Sequence, residues 1–150
     1  MRDFIDILKQ YRIYSEEYHN KSNSEYELFG NLVEFISLDQ PQKVRGRKRD
    51  VLFINEANEL YFEDWQQLVF RTTEKIILDY NPSDEYSWIY DNVIPREDAE
   101  FYKTTYLDNP FLDKSIRNEI ELLRETDETY WQIYGLGESG ISKSTIFQYT

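Results

Sequence analysis

The sequence predicts an α/β protein: a mostly parallel sheet with flanking helices, plus a β-hairpin near the N-terminus. Three observations carry that expectation. From residue 50 onward, apolar runs with strand preference alternate with segments of helical period. The strand runs VLFIN and KIILD are continuously apolar rather than alternating, as in strands covered on both faces. Ahead of them, two strand-like runs are joined by Gly30-Asn31, a pair that suits a tight hairpin because glycine tolerates positive φ.

The elements follow in order. Phe4, Leu8 and Tyr11 form one stripe, with Ile7, Tyr14 and Tyr18 beside it, so an amphipathic helix is expected up to the NKSNS break. SEYELFGNLVEFISL supplies the hairpin, and RDVLFIN the first core strand. FEDWQQLVFRT (Phe62–Thr72) reads as a helix, with Trp65, Leu68 and Val69 on one side. EKIILDYNP (Glu74–Pro82) is a strand that must stop at its proline. A short helix over EYSWIYDNVI, a third strand over Glu100–Leu107, a helix over LDKSIRNEIELLRET and a last helix closed by Gly135, Gly137 and Gly140 complete the expectation.

Composition narrows the function classes. The chain of 150 residues is long enough for one domain with a sizeable core. Its hydrophobic content of 40% and charged content of 31% are those of a folded protein, not a disordered one. With no cysteine, disulfides, thiolate zinc sites and cysteine nucleophiles are excluded. The single histidine, His19, sits in SEEYHNKSNS and reads as a surface residue, which leaves Ser-His-Asp chemistry without a base. The short apolar runs cannot span a bilayer, and Arg2, Asp3, Asp6 and Lys9 interrupt any signal-peptide core, so no membrane association and a cytoplasmic location are expected.

A net charge of −12 argues against a surface that grips nucleic acid throughout. One stretch departs from it: KVRGRKR carries Lys43, Arg45, Arg47, Lys48 and Arg49. Such a run is most simply solvated or paired with the abundant acids, and otherwise contacts phosphate or a neighbouring subunit. Two strand ends carry polar clusters, Asn55-Glu56 with Glu59 just beyond, and Asp79-Tyr80-Asn81. In open parallel sheets, ligands bind beyond the carboxyl ends of the strands, so these clusters are the candidate site.

VLFINEANEL, KIILDYNPSDEYSWIYD, TTYLDNPFLD and YWQIYGLGESG, in this order, resemble the large subunit of tailed-phage terminases, over roughly Arg2 to Phe147. Four motifs in order are more specific than any one of them. The resemblance implies a P-loop NTPase-like fold and an ATPase that drives packaging of DNA into a procapsid. It makes VLFIN the Walker B strand, Glu56 the catalytic base that orients the attacking water, and Asn81, before Pro82, the nucleotide-sensing coupling residue. Asn55 stands where many members carry Asp; the resemblance implies that it is Mg-associated through a metal-bound water, without a charge of its own. Ser87 stands where a His precedes the Trp, Trp88 reads as core, Asp108 and Asn109 as turn residues, and Ser139 replaces a usual Trp.

ATP and Mg²⁺ are the implied cofactors, and double-stranded DNA, the portal protein, the small terminase subunit and further copies in a homo-oligomeric ring are the implied partners, in the host cytoplasm. Arg45 and Arg47, flanking Gly46, are candidates for an arginine finger or phosphate contact, with Arg71 in reserve. No Gly-x-x-x-x-Gly-Lys-Ser/Thr occurs in the chain. The expectation is therefore an incomplete fold without its Walker A portion: residues 1–140 as the C-terminal portion of an ATPase domain, and 141–150 as the start of a linker toward a nuclease domain. The isolated chain is then inactive. The alternatives are a non-enzymatic truncated or split subunit acting in assembly, and a metal-dependent nuclease using Glu56, Asp79 and Glu59.

Overall fold

A computed structural model of the chain describes residues 1–37, 46–83 and 87–139. It divides into two compact units, Met1–Lys48 and Arg49–Thr150.

The first unit is a helix on a small antiparallel sheet. Helix α1 (Arg2–Gln10) buries Ile5 and Leu8. It stops well short of Tyr18, because Arg12 adopts φ 60° and the Ile13 and Arg12 amides bond back to the Leu8 and Lys9 carbonyls, a Schellman closure. Tyr14 and Tyr18 match the helical period but lie beyond that stop. Strands β1 (His19–Asn20), β2 (Glu25–Leu28) and β3 (Asn31–Glu34) pair antiparallel in the order β1-β2-β3. The expected hairpin forms, with its turn one residue earlier than expected. Leu28 pairs with Asn31, so Phe29 and Gly30, both at positive φ, make the two-residue turn and Asn31 opens β3.

The core of this unit is Tyr26, buried with Ile5 and Leu8 under Met1, Phe4, Tyr14 and Leu28. Its hydroxyl accepts the Ser15 N–H at 2.9 Å, which gives a buried phenol a polar partner. His19 is not the solvated residue expected from its context. It is half-buried on β1, its ring 6.0 Å from that of Tyr26 and its Nδ1 within 3.0 Å of the Tyr14 hydroxyl. Tyr14 also donates to Glu16 at 2.6 Å, and that bond pushes its ionisation up to about 12.

The second unit begins as a strand–helix–strand crossover. Strand β4 (Arg49–Ile54), a 3₁₀ turn (Ala57–Glu59), helix α2 (Phe62–Val69) and strand β5 (Thr72–Leu78) follow in sequence, and β4 and β5 pair in parallel. Leu52 lies against Ile76 and Ile54 against Leu78, so these four share one face; Ile54 is buried there. The other face carries Val51, Phe53 and Ile77, each about half exposed. The sheet of the described residues thus has two strands and one covered face, rather than the wider, doubly covered sheet expected.

The third expected strand is absent: residues 100–105 have no regular structure, and Phe101 and Tyr102 are exposed. Alternation of Phe, Tyr and Thr imitates a strand, but no partner strand pairs with it. Instead Thr105 and Asp108 form a capping box around a 3₁₀ turn at Tyr106–Asp108, and the Asn109 side chain accepts the Phe111 amide, in keeping with turn roles for Asp108 and Asn109.

Helix α3 (Trp88–Asn92) is capped by Ser87, and helix α4 (Lys114–Thr126) by Asp113. Residues 128–135 continue as a helical turn and a π-helical turn that pack against α4. Gly135 is required there by space, since a Cβ would come within 2.2 Å of the Trp131 ring. No helix of the described residues is long and apolar enough to cross a membrane.

Ile89, at 1% exposure, is the most deeply buried aliphatic side chain among the described residues of this unit with Ala57 set aside. Ile89→Ala is expected to cost about 2–4 kcal/mol, measured by denaturant unfolding, because the cavity adds to the lost transfer energy. A loss below about 1 kcal/mol would mean that the site collapses around the smaller residue.

Candidate functional site

Parallel pairing sends the ends of β4 and β5 to the same edge of the sheet, and the polar residues gather there. Asn55 and Glu56 follow β4, and Asp79, Tyr80 and Asn81 follow β5. Asn55, Glu56 and Asn81 are all exposed. Glu56 lies at φ 55°, ψ 51°, the left-handed region, where the strand ends abruptly and turns into the Ala57–Glu59 segment. That turn buries Ala57 and Leu60 and leaves the Glu56 side chain at the rim.

Asp79 binds this corner with three groups. Its N–H donates to the Ile54 carbonyl at 3.0 Å, its carbonyl accepts the Ala57 N–H at 2.8 Å, and its carboxylate accepts the Glu56 N–H at 2.6 Å. A side-chain-bearing residue in the left-handed region costs about 1–2 kcal/mol. A hydrogen bond to a charged acceptor contributes about 1.5–3 kcal/mol, the same size as the strain, so the carboxylate offsets it.

The neighbouring aromatics brace the turn. Trp88 Nε1 donates to the Leu60 carbonyl at 2.7 Å, and its ring stacks on Trp65 with centroids 5.0 Å apart. Trp88 is therefore packing, as its sequence context implies. Ser87, where a His was expected, is buried, and its Oγ accepts the Ile89 amide as a helix cap. Tyr80 stands edge-on to Tyr90 at 5.9 Å, and burial pushes its hydroxyl well above the usual tyrosine range. Beyond it, the Ser83 N–H returns to the Asn81 carbonyl at 2.8 Å, so Asn81-Pro82 is a tight turn at the strand end.

The remaining candidates fall elsewhere. Arg45 and Gly140 lie outside the described residues. Arg47 belongs to the first unit, where its guanidinium bridges Glu25 at 3.3 Å and Glu34 at 3.1 Å. Those two acids face each other across β2 and β3, a like-charge pair that needs a cation between them. Arg71 folds back onto the Gln67 carbonyl and side chain at the end of α2. Among the described residues, no three His, Asp or Glu side chains are placed to hold a metal, so Glu56, Asp79 and Glu59 do not form the nuclease cluster. The Asp79 carboxylate is turned to an amide instead. The hollow of about 260 Å³ lined by Glu17, Tyr18, His19 and Leu32 belongs to the first unit and contains none of the residues that follow β4 or β5.

Sequence reasoning placed Asp79 at the right edge without its task. No sequence signal could have shown it, since an acid ending a strand reads the same whether it meets solvent, a metal or a neighbouring amide.

Fold and site together define a mixed α/β protein whose polar residues converge on the carboxyl edge of a parallel strand pair. The chain belongs to the phage terminase large subunit family, whose model matches residues 2–138. That membership gives it a role in a phage terminase. No curated protein matches the chain.

Arg47→Ala is expected to lower the stability of the first unit by about 0.5–1 kcal/mol, a modest figure because the guanidinium is largely exposed. Thermal or denaturant unfolding at low and high salt checks this, and the loss should shrink as salt screens the Glu25–Glu34 repulsion. A variant as stable as the parent at low salt contradicts the bridging role.

Proposed function

We propose that this chain is part of the ATPase of a terminase large subunit, the motor that packages DNA into a procapsid, within a P-loop NTPase-like fold. The observation that carries the reading is the parallel pairing of β4 and β5, which sends Glu56 and Asn81 to one edge. A water-activating acid and a γ-phosphate sensor must both reach one phosphate, and a shared edge meets that requirement. The half-exposed apolar face of Val51, Phe53 and Ile77 also favours a further layer packed on it, since parallel sheets are normally covered on both sides.

In this reading Glu56 is the general base. Its carboxylate makes no hydrogen bond or ion pair among the described residues, and it stands exposed at the strand end, open to a water held against a phosphate. ATP and Mg²⁺ are the cofactors the reading requires. Mg²⁺ keeps several waters and takes phosphate oxygens with one or two protein donors, and the exposed Asn55 amide and Glu56 carboxylate fit that limited share. When bound, the ion neutralises charge on the phosphates. Asn55 would orient a water of its shell, and Asn81 would bond the terminal phosphate.

Arg45 and Arg47 are the proposed arginine finger, with Arg71 in reserve; Arg47 would exchange Glu25 and Glu34 for phosphate in order to act. Residues 1–140 would be ATPase domain and 141–150 the start of a linker to a nuclease domain. Double-stranded DNA, the portal protein, the small subunit and further copies in a ring are the proposed partners, in the host cytoplasm.

The chain has no Gly-x-x-x-x-Gly-Lys-Ser/Thr motif, and the amides and lysine of that loop supply most phosphate-binding energy. The chain alone is therefore expected neither to bind ATP tightly nor to hydrolyse it, and micromolar affinity by calorimetry would overturn this. In a terminase large subunit carrying this segment together with a phosphate loop, Glu56→Gln should abolish turnover and leave nucleotide binding nearly unchanged, because the amide keeps the shape and loses the base. Turnover close to the parent's would remove Glu56 from the chemistry.

A further inference from the structure

We propose that Asp79 is the positioning residue for Glu56: its carboxylate, accepting the Glu56 N–H at 2.6 Å, holds Glu56 in the left-handed conformation that ends β4 at the site edge. The functional half of this inference rests on the reading of Glu56 as the water-activating acid; the conformational half does not.

The three bonds from Asp79 to the β4 corner are not equivalent. Those to the Ile54 carbonyl and the Ala57 amide use the Asp79 backbone, and most residues at position 79 would supply them. The third needs an acceptor on a short side chain at this position. It is also the one that falls on the strained residue, between two neighbours already fixed by the backbone. Ile54 and Ala57 are thus held by backbone bonds alone, while Glu56 has its carbonyl held by the Glu59 N–H at 2.9 Å and its N–H held by a side chain.

The other non-glycine residues at positive φ among the described residues, Arg12, Ser24 and Phe29, belong to a helix terminus or to the turns of the antiparallel sheet, where local geometry imposes the conformation. Glu56 ends a parallel strand, and no hairpin forces its φ. Take away the Asp79 carboxylate and the Glu56 N–H has no acceptor in this corner; only its carbonyl bond to the Glu59 N–H remains, and the strained residue relaxes toward the ordinary regions of φ and ψ. That relaxation rotates the Cα–Cβ bond and carries the Glu56 carboxylate away from its place at the rim. An error of about an ångström at a reacting group is enough to lower turnover about a hundredfold.

Two variants separate acceptor from bystander. Asp79→Ala removes the acceptor, whereas Asp79→Asn keeps an oxygen in its place. In the 150-residue chain, Asp79→Ala should speed hydrogen exchange of the Glu56 amide about tenfold or more, with the β4–β5 ladder amides unchanged, while Asp79→Asn should retain most of the protection. Unchanged exchange in Asp79→Ala, or equal loss in Asp79→Asn, overturns the proposal. Should Asp79→Ala fail to fold, Asp79→Ala with Glu56→Gly should fold, because glycine takes the left-handed conformation without strain. Failure of that pair also counts against it.

The kinetic arm uses a complete terminase large subunit carrying this segment. Asp79→Ala should lower kcat about a hundredfold with KM nearly constant, and Asp79→Asn should stay within about threefold of the parent. A matching fall in both variants, or a change in KM alone, overturns the positioning role. If exchange behaves as expected but Glu56→Gln retains turnover, the clasp stands and the reading of Glu56 falls.

Discussion

The parallel pairing of β4 with β5 is the constraint on which the rest of the second unit depends. A parallel pair cannot be closed by a tight turn, so the chain between the strands must cross over, and α2 with its preceding 3₁₀ turn makes that crossing. Because both strands run the same way, whatever follows each of them meets at one edge. The polar character of that edge therefore comes from direction as much as from residue type. Had the pair been antiparallel, Glu56 and Asn81 would stand at opposite ends of the sheet.

The corner after β4 shows how backbone and side chain divide the work. Burial of Ala57 and Leu60 draws the chain sharply inward once Ile54 has been placed, and Trp88 holds the far side of the turn through the Leu60 carbonyl. The sharp reversal falls on Glu56, which has a Cβ and resists it. A charged acceptor at the end of the adjacent strand offsets that resistance. One acid is thus spent on conformation so that the other stands exposed at the rim. The two acids at this edge therefore have different tasks.

The first unit follows a different logic. It has little aliphatic core, and Tyr26 fills the space between α1 and the antiparallel strands with an aromatic ring whose hydroxyl must also be satisfied. Tyr14 and His19 gather around it, so residues with polar tips do the packing. The acid pair of the hairpin needs a cation, and Arg47 supplies it from the basic stretch. In a chain with an excess of acids, a basic run is drawn first to the nearest carboxylates.

What the sequence by itself determined is the set of local periods: the α1 stripe, the hairpin, the two core strands, α2 and α4, and the polar strand ends that named Glu56 and Asn81. Apolar spacing and Gly/Pro punctuation are local signals, and they survive without knowledge of neighbours. Family membership was legible for the same reason, because it rests on ordered short motifs. The tertiary structure decided what depends on partners. Residues 100–105 alternate like a strand yet find no strand to pair with, and His19 looks solvated yet is drawn into an aromatic cluster. The helix stripe continues to Tyr18 on paper, while a left-handed Arg12 ends it. Asp79 makes the point most sharply: its identity was plain, but its acceptor role exists only because the Glu56 amide, 23 residues away in sequence, comes within 2.6 Å of it. A side chain's task at a strand end is set by what the neighbouring strand brings beside it, and that is a property of the fold.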